Sequence, residues 1–230
     1  PDQRFIHSGI SWEQFKLIER GFSESPGIKL FYYKGQLEIL AVSPEHEIFS
    51  RTICTLLAIY CAENDIEFAP TGSFTQEKEG IVSAQADESY FIGRRITSNS
   101  PPDLCIEVVF TSGNVKKLER YRVLGVAEVW FWEDGVLAMY RLGSDGYEKI
   151  SASVVLPDLD TNLLCRCLLM ASSVEAMREF REGISRLGAI GPFLICPATR
   201  KFRVDRLLSV ALSALDWLRC RACYSLVYLS

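Results

Sequence analysis

The chain has 230 residues, 48% of them hydrophobic and 23% charged, with a net charge of -4, which is the composition of a globular protein able to bury one substantial core. That balance excludes a protein that grips nucleic acid by charge over its whole surface, so any such contact has to be a local patch. No apolar run reaches membrane-spanning length and no charged-then-apolar leader opens the chain; a soluble, cytoplasmic protein without membrane contact is expected, and the start Pro1-Asp2-Gln3, without an initiator Met, reads as a fragment or trimmed chain.

In chain order, Ser11-Trp12-Glu13-Gln14 reads as a capping box that opens an amphipathic helix carrying Trp12, Phe15 and Ile18 on one side, stopped near Gly21. Lys29 to Tyr33, the turn Lys34-Gly35 and Gln36 to Leu40 predict a hairpin. Ser43-Pro44 starts a second helix through about Asn64, with Ile48, Ile53, Leu56, Leu57 and Tyr60 near helical spacing. Short strands are expected from Glu67 to Phe91, with Asp87 among them. The apolar strand Leu104 to Phe110 follows, then a helix from about Asn114 to Leu124 closed by Gly125. Next come a strand from Ala127 to Trp132, a hairpin turning at Ser144-Asp145-Gly146, and a helix around Val174 to Arg181. Strands and helices are mixed, so the expected fold is an α/β or α+β core with a mixed sheet.

Residues 188–230 carry six Lys or Arg against two Asp, a local net of +4 that leaves -8 for residues 1–187. They are expected to be an appended tail beside a domain at 1–187. The eight cysteines (54, 61, 105, 165, 167, 196, 220 and 223) sit mostly in apolar runs, which suits reduced, buried thiols and a reducing compartment. Cys220 and Cys223 have CxxC spacing, but His7 and His46 are far away in sequence, so zinc is not expected.

Glu107 stands in the middle of the apolar strand, and a buried carboxylate is costly unless it is paired or holds a metal. Alternation puts Asp103, Cys105, Glu107 and Val109 on one face and Leu104, Ile106, Val108 and Phe110 on the other. Asp103 is about 13 Å from Glu107 at roughly 3.3 Å per residue, too far to share one metal, so a second carboxylate must come from elsewhere, with Asp87 the candidate. On the helix behind, Val115, Leu118, Tyr121 and Leu124 form the apolar stripe and Lys117 lies at its edge, able to reach the sheet, while Lys116, Glu119 and Arg120 fall toward solvent. Two carboxylates and an ammonium at a sheet suit phosphodiester hydrolysis, the carboxylates holding Mg²⁺ and the lysine positioning water or neutralising transition-state charge.

With these residues in view, the sequence resembles the Uma2 family of restriction-endonuclease-like proteins, within the PD-(D/E)xK nuclease fold. The resemblance rests on Ser43-Pro44-Glu45-His46-Glu47, Asp87-Glu88-Ser89-Tyr90, Pro102 to Val108, Lys117 with Tyr121, and Gly125 to Trp130, over roughly residues 10–180. It implies a restriction-endonuclease-like core with added hairpins, an endonuclease acting on DNA, Asp87 and Glu107 as metal ligands with the Val108 carbonyl as a third, and Lys117 as the catalytic lysine. The metal implied is Mg²⁺, with Mn²⁺ as a substitute. Two departures stand out: Val109 occupies the position two after the glutamate where a lysine is the norm, and Ala86 replaces the proline before the aspartate. A further acid on the early helix is implied, Glu47 before Glu45, with Glu38 as an alternative.

The same residues also suit ordinary structural roles. Glu107 and Lys117 can form an ordinary ion pair, Asp87 can be a turn or cap residue, and His46 a helix-start or core hydrogen-bonder; Trp130-Phe131-Trp132 reads as core and interface packing, and Arg94, Arg95 and Lys116 as phosphate contacts or, in preference, surface charge. The rival function is a catalytically inactive nuclease-fold module that binds nucleic acid or a protein partner, and a third is cleavage of RNA or of branched or single-stranded DNA. Cutting both strands needs two active sites, so a homodimer is compatible with the first reading.

Overall fold

The computed structural model describes residues 2–94, 96, 100–110 and 114–190. In chain order the elements are β1 (Gln3–Ser8), α1 (Trp12–Gly21), β2 (Ile28–Tyr33), β3 (Gln36–Ala41), α2 (Pro44–Glu63), β4 (Phe68–Pro70), β5 (Thr75–Lys78), β6 (Val82–Gln85), β7 (Glu88–Ile92), β8 (Leu104–Val109), α3 (Asn114–Leu124), β9 (Glu128–Glu133), β10 (Val136–Leu142), β11 (Tyr147–Ile150), α4 (Thr161–Leu168) and α5 (Ser173–Ile190). They form two sheets among the described residues. The first is antiparallel, ordered β1-β3-β2-β6-β5, and the second is ordered β11-β10-β9-β8-β7-β4. Within the second, β8 and β9 are parallel and α3 makes the crossover between them, while the other pairs are antiparallel. The fold is the mixed α/β class expected.

Local chemistry explains the boundaries. Ser11 and Gln14 form the complete capping box of α1, and Ser43 caps α2 ahead of Pro44; each satisfies amide groups that a helix start leaves without partners. Lys34-Gly35 turns with positive φ at both residues, 46° and 84°, the geometry that a two-residue hairpin loop requires.

Strand β8 is buried along its whole length because it is central and parallel to β9, with helices or the other sheet on both faces. Leu104, Ile106 and Val108 pack with Trp130 and Trp132 of β9, with Ile53, Leu56, Leu57 and Tyr60 of α2, and with residues of α4 and α5. Cys105 and Val109 belong to the other cluster, with Leu118 and Tyr121 of α3, Phe131 of β9, and Phe31 and Leu40 of the first sheet. The alternation places Glu107 in this second layer, beneath α3 and the first sheet, and the aromatic run Trp130 to Trp132 is core.

Two elements and two side chains differ from the sequence expectations. Strand β1 went unrecognised because it is a sheet edge that is mostly exposed, so burial leaves no two-residue period in Gln3-Arg4-Phe5-Ile6-His7-Ser8. Helix α4 is short; its sign was Asp160, which accepts hydrogen bonds from the amides of Asn162 and Leu163 at 2.9 and 3.0 Å. Ile48, counted on the apolar face of α2, is 62% exposed. Arg120, expected toward solvent, is buried, because the first sheet also packs against α3 and Glu38 of β3 accepts from its guanidinium. The chain divides into two units, residues 1–188 and 189–230. The remainder of the tail, with Cys196, Cys220 and Cys223, lies outside the described residues, as do Arg95 and the side chain of Lys116. The five cysteines described are free thiols.

Glu128 shows how this core handles a buried acid. Its carboxylate accepts from Trp130 Nε1 at 2.6 Å and from the amides of Val154 and Val155 at 2.8 and 3.3 Å. Glu128→Ala would strand the buried Trp130 indole N–H and two part-buried amides and is expected to lower stability by about 2 kcal/mol, a fall in thermal midpoint of about 6 °C for a chain of this size. An unchanged midpoint would show that these donors find other partners.

Candidate active site

Asp87 is the residue at which the chain leaves the first sheet, after β6, and enters the second at β7. Its amide donates to Ile106 O at 3.0 Å, and the β7–β8 ladder pairs Glu88 with Ile106. Continued by one residue, that antiparallel register sets Asp87 opposite Glu107 on the neighbouring strand. The second carboxylate that the lone Glu107 called for is thereby supplied by strand pairing.

Each carboxylate oxygen has a protein partner. Asp87 Oδ1 accepts from Lys29 Nζ of β2. Asp87 Oδ2 accepts from the Val108 amide at 2.6 Å, and His46 Nε2 stands 2.9 Å from the same atom, at ion-pair distance but out of line for a hydrogen bond. Glu107 Oε2 accepts from Lys117 Nζ at 2.8 Å and Oε1 from the Tyr121 hydroxyl. Lys117 and Tyr121 are four residues apart on α3 and so share a face, which lets one helix hold both oxygens of one carboxylate. Asp87, Glu107, Lys117 and Lys29 are 3%, 2%, 7% and 7% exposed, so charge pairing rather than solvent stabilises them.

The charges act on one another. Burial pushes Asp87 toward the neutral acid, but Lys29 and His46 outweigh it and hold the carboxyl well below the usual carboxylate range. Lys117 is also opposed by burial, yet Glu107 and then Asp87 raise it above an ordinary lysine. Burial, followed by the neighbouring Glu107, lifts the Tyr121 phenol well above its usual range, so Tyr121 remains a proton donor. For His46 burial is again the largest influence and works downward, but Asp87 and Asp2 together raise it above an ordinary histidine; Asp2 Oδ2 lies 2.9 Å from His46 Nδ1.

A pH dependence follows. A group whose pKa is raised by folding adds stability that is fully present below its unfolded pKa, about 6.5 for histidine, and lost as pH rises through the folded value. The wild type is therefore expected to lose stability from about pH 6.5 upward relative to His46→Gln, measured as urea midpoints between pH 6 and 9. Parallel profiles would contradict the imidazolium assignment.

The structure brings Asp87, Glu107 and Lys117 into one cluster. The early-helix acids are placed elsewhere: Glu45 is exposed, and Glu47, its side chain 43% exposed, stands 3.7 Å from Arg51. Their neighbour His46 is the residue of that turn directed inward. Glu38 is buried and joins Arg120 of α3, and Arg4 of β1 at 2.6 Å; burial opposes its ionisation, but the two guanidinium groups hold it below the usual range. Asp103 is used by the Ile92 amide at 2.9 Å and by Arg94. Lys29 was not singled out from the sequence, although a lysine beside Leu30-Phe31-Tyr32 carries the same signal as a glutamate in an apolar strand. Tyr121 was seen only as stripe and resemblance.

Among the described residues no group of three His, Cys, Asp or Glu side chains is arranged to hold a metal, so a cation here depends on the two carboxylates and backbone or solvent oxygens. The donor chemistry suits one. The donor atoms available are all oxygens, the set preferred by Mg²⁺, and a carboxylate has about four acceptor positions, of which three neighbours crowd Asp87 and two occupy Glu107. Capacity therefore remains on both.

A family model described as "Uma2: Putative restriction endonuclease" matches residues 12–175. Among solved structures, the chain is similar to "a putative nuclease belonging to DUF820 from Anabaena variabilis ATCC 29413", at 17% identity and a TM-score of 0.44, covering 74% of this chain and 99% of that one. No curated protein matches the chain. Among the described residues no helix is long and apolar enough to cross a membrane.

Proposed function

The chain belongs to the Uma2 family of restriction-endonuclease-like proteins, and on that premise we propose that it is a metal-dependent endonuclease that hydrolyses DNA phosphodiester bonds at Asp87, Glu107 and Lys117. The observation that carries this reading is the convergence of two buried carboxylates from paired strands with an ammonium from the following helix. Asp87, Glu107 and the Val108 carbonyl would hold a divalent cation, Mg²⁺ or Mn²⁺. Bound there, it supplies Lewis-acid polarisation of the phosphate and a more acidic bound water. Lys117 offers a fixed positive charge for the extra negative charge that develops as water attacks phosphorus. Tyr121 holds the second oxygen of Glu107 and so fixes the carboxylate's orientation. Hydrolysis joins the water oxygen to phosphorus and breaks the bond to the leaving sugar oxygen, which takes up a proton.

A second reading is favoured by one observation: every oxygen of the two carboxylates already has a protein donor or cation beside it, as a purely structural ion network requires. It corresponds to a nuclease-fold module that binds without cutting. Incubation of supercoiled plasmid with the full chain in Mg²⁺, Mn²⁺ or EDTA separates the two. The endonuclease reading expects nicking in either metal and none in EDTA; absence of nicking together with absence of Mn²⁺ binding by calorimetry favours the module. Parallel reactions on RNA and single-stranded DNA decide the substrate class.

A further inference from the structure

The first sheet contributes one residue to the cluster, and it is the one that the chemistry above leaves without a task. Lys29 of β2 is buried, and its ammonium sits on Asp87 Oδ1. The register explains how it arrives there: Arg4 and Lys29 lie opposite Leu40, and Phe31 opposite Glu38, so Arg4, Lys29, Phe31 and Glu38 share the sheet face turned toward α3. Lys117 Nζ and the Arg120 guanidinium lie 5.9 and 5.0 Å from the Phe31 ring centre on that face.

Charge then limits what else the site can take. Asp87, Glu107 and Asp2 together carry three negative charges, and Lys29, Lys117 and the His46 imidazolium, each beside one or two of them, carry three positive charges. A divalent cation entering this balanced set would leave two positive charges in excess in a buried space, and one ammonium has to give way. Of the three groups beside Asp87, the Val108 amide is fixed in the backbone and His46 is held from its other nitrogen by Asp2. Lys29 has a four-carbon stem and a single ion-pair partner among the described contacts. It is the group free to leave, and once off Asp87 a buried ammonium requires another anion.

We propose that Lys29 is a substrate-binding lysine that occupies Asp87 in the metal-free site and moves to the scissile phosphodiester when a divalent cation takes its place; this rests on the metal-dependent hydrolysis proposed above. Lys29 therefore opposes metal binding and favours cleavage, a combination of signs that a merely structural residue does not produce.

The test is calorimetric titration of Mn²⁺ into the full chain and into Lys29→Met, with plasmid nicking at saturating Mn²⁺ alongside. Lys29→Met is expected to bind Mn²⁺ at least tenfold more tightly than the wild type and to nick at least a hundredfold more slowly. Lys29→Gln, which keeps a donor for Asp87 without the charge, carries the same expectation if the methionine variant does not fold. Mn²⁺ affinity equal to or weaker than wild type overturns the proposal, as does tighter binding with wild-type nicking. If neither wild type nor variant binds Mn²⁺, the metal-dependent reading itself falls and takes this one with it; if both bind equally, only the role of Lys29 falls.

Discussion

Glu107→Ala is expected to abolish plasmid nicking and to destabilise the protein by about 3–5 kcal/mol, the cost of removing one partner from a buried ion pair. The substitution leaves the Lys117 ammonium and the Tyr121 hydroxyl buried without their acceptor, so lost activity in this variant alone would not separate chemistry from folding. Glu107→Gln does separate them. The amide oxygen still accepts from one of the two donors, the side-chain volume is kept, and only the charge is lost. This variant is expected to stay folded with a smaller loss of stability than Glu107→Ala, because the buried Lys117 ammonium loses its counter-charge but keeps an acceptor, and to nick at least a hundredfold more slowly, the scale of losing one electrostatic element of a hydrolytic site. Circular dichroism melting and nicking rates on the same preparation check both parts. A folded Glu107→Gln with wild-type nicking would remove Glu107 from the chemistry.

The largest effect on stability is expected at Asp87. It joins the two sheets through Lys29 on one side and the Val108 amide on the other, with His46 on the same oxygen as Val108. Asp87→Ala leaves the buried Lys29 ammonium and the Val108 amide unanswered and leaves His46 with Asp2 alone, and a loss of about 5 kcal/mol approaches the whole stability of many domains. Acid is expected to act in the same direction. Because the folded pKa of Asp87 is held below its unfolded value near 3.9, its contribution is present above that value and is lost as pH falls through the folded one. Urea midpoints between pH 5 and 2.5 should therefore fall more steeply for wild type than for Asp87→Asn. Equal slopes would show that Asp87 is not the ionised hub of the cluster.

Glu107 and Lys117 were legible in the sequence because their signals are local: a charge in the middle of an apolar strand, and a lysine at the edge of a helical stripe whose direction follows from 3.6-residue spacing. Asp87 was named as a candidate, but its position opposite Glu107 depends on the β7–β8 register, a long-range pairing that no local pattern encodes. Lys29 and Arg120 were passed over for a common reason. Both are buried by the first sheet covering α3, and a lysine opening a hairpin strand or an arginine off the main stripe looks solvent-facing until that second layer is in place. His46 reads as a helix-start or core hydrogen-bonder, and its backbone amide does take the Ser43 cap at 3.4 Å; what stayed hidden was that its ring lies between Asp2 and Asp87. The early-helix acid was sought at Glu47 on the strength of family resemblance, whereas the inward position of that turn belongs to its neighbour.

The cluster at Asp87, Glu107 and Lys117 is either a hydrolytic centre or a structural ion network, and both require Lys117 to be paired. They part when the ammonium is removed but the apolar stem is kept. Plasmid nicking in Mn²⁺ by wild type and by Lys117→Met, compared at equal concentrations of folded protein, tests this most directly. The account predicts metal-dependent nicking by the wild type and a loss of a hundredfold or more in the folded variant; nicking by Lys117→Met at the wild-type rate would contradict it.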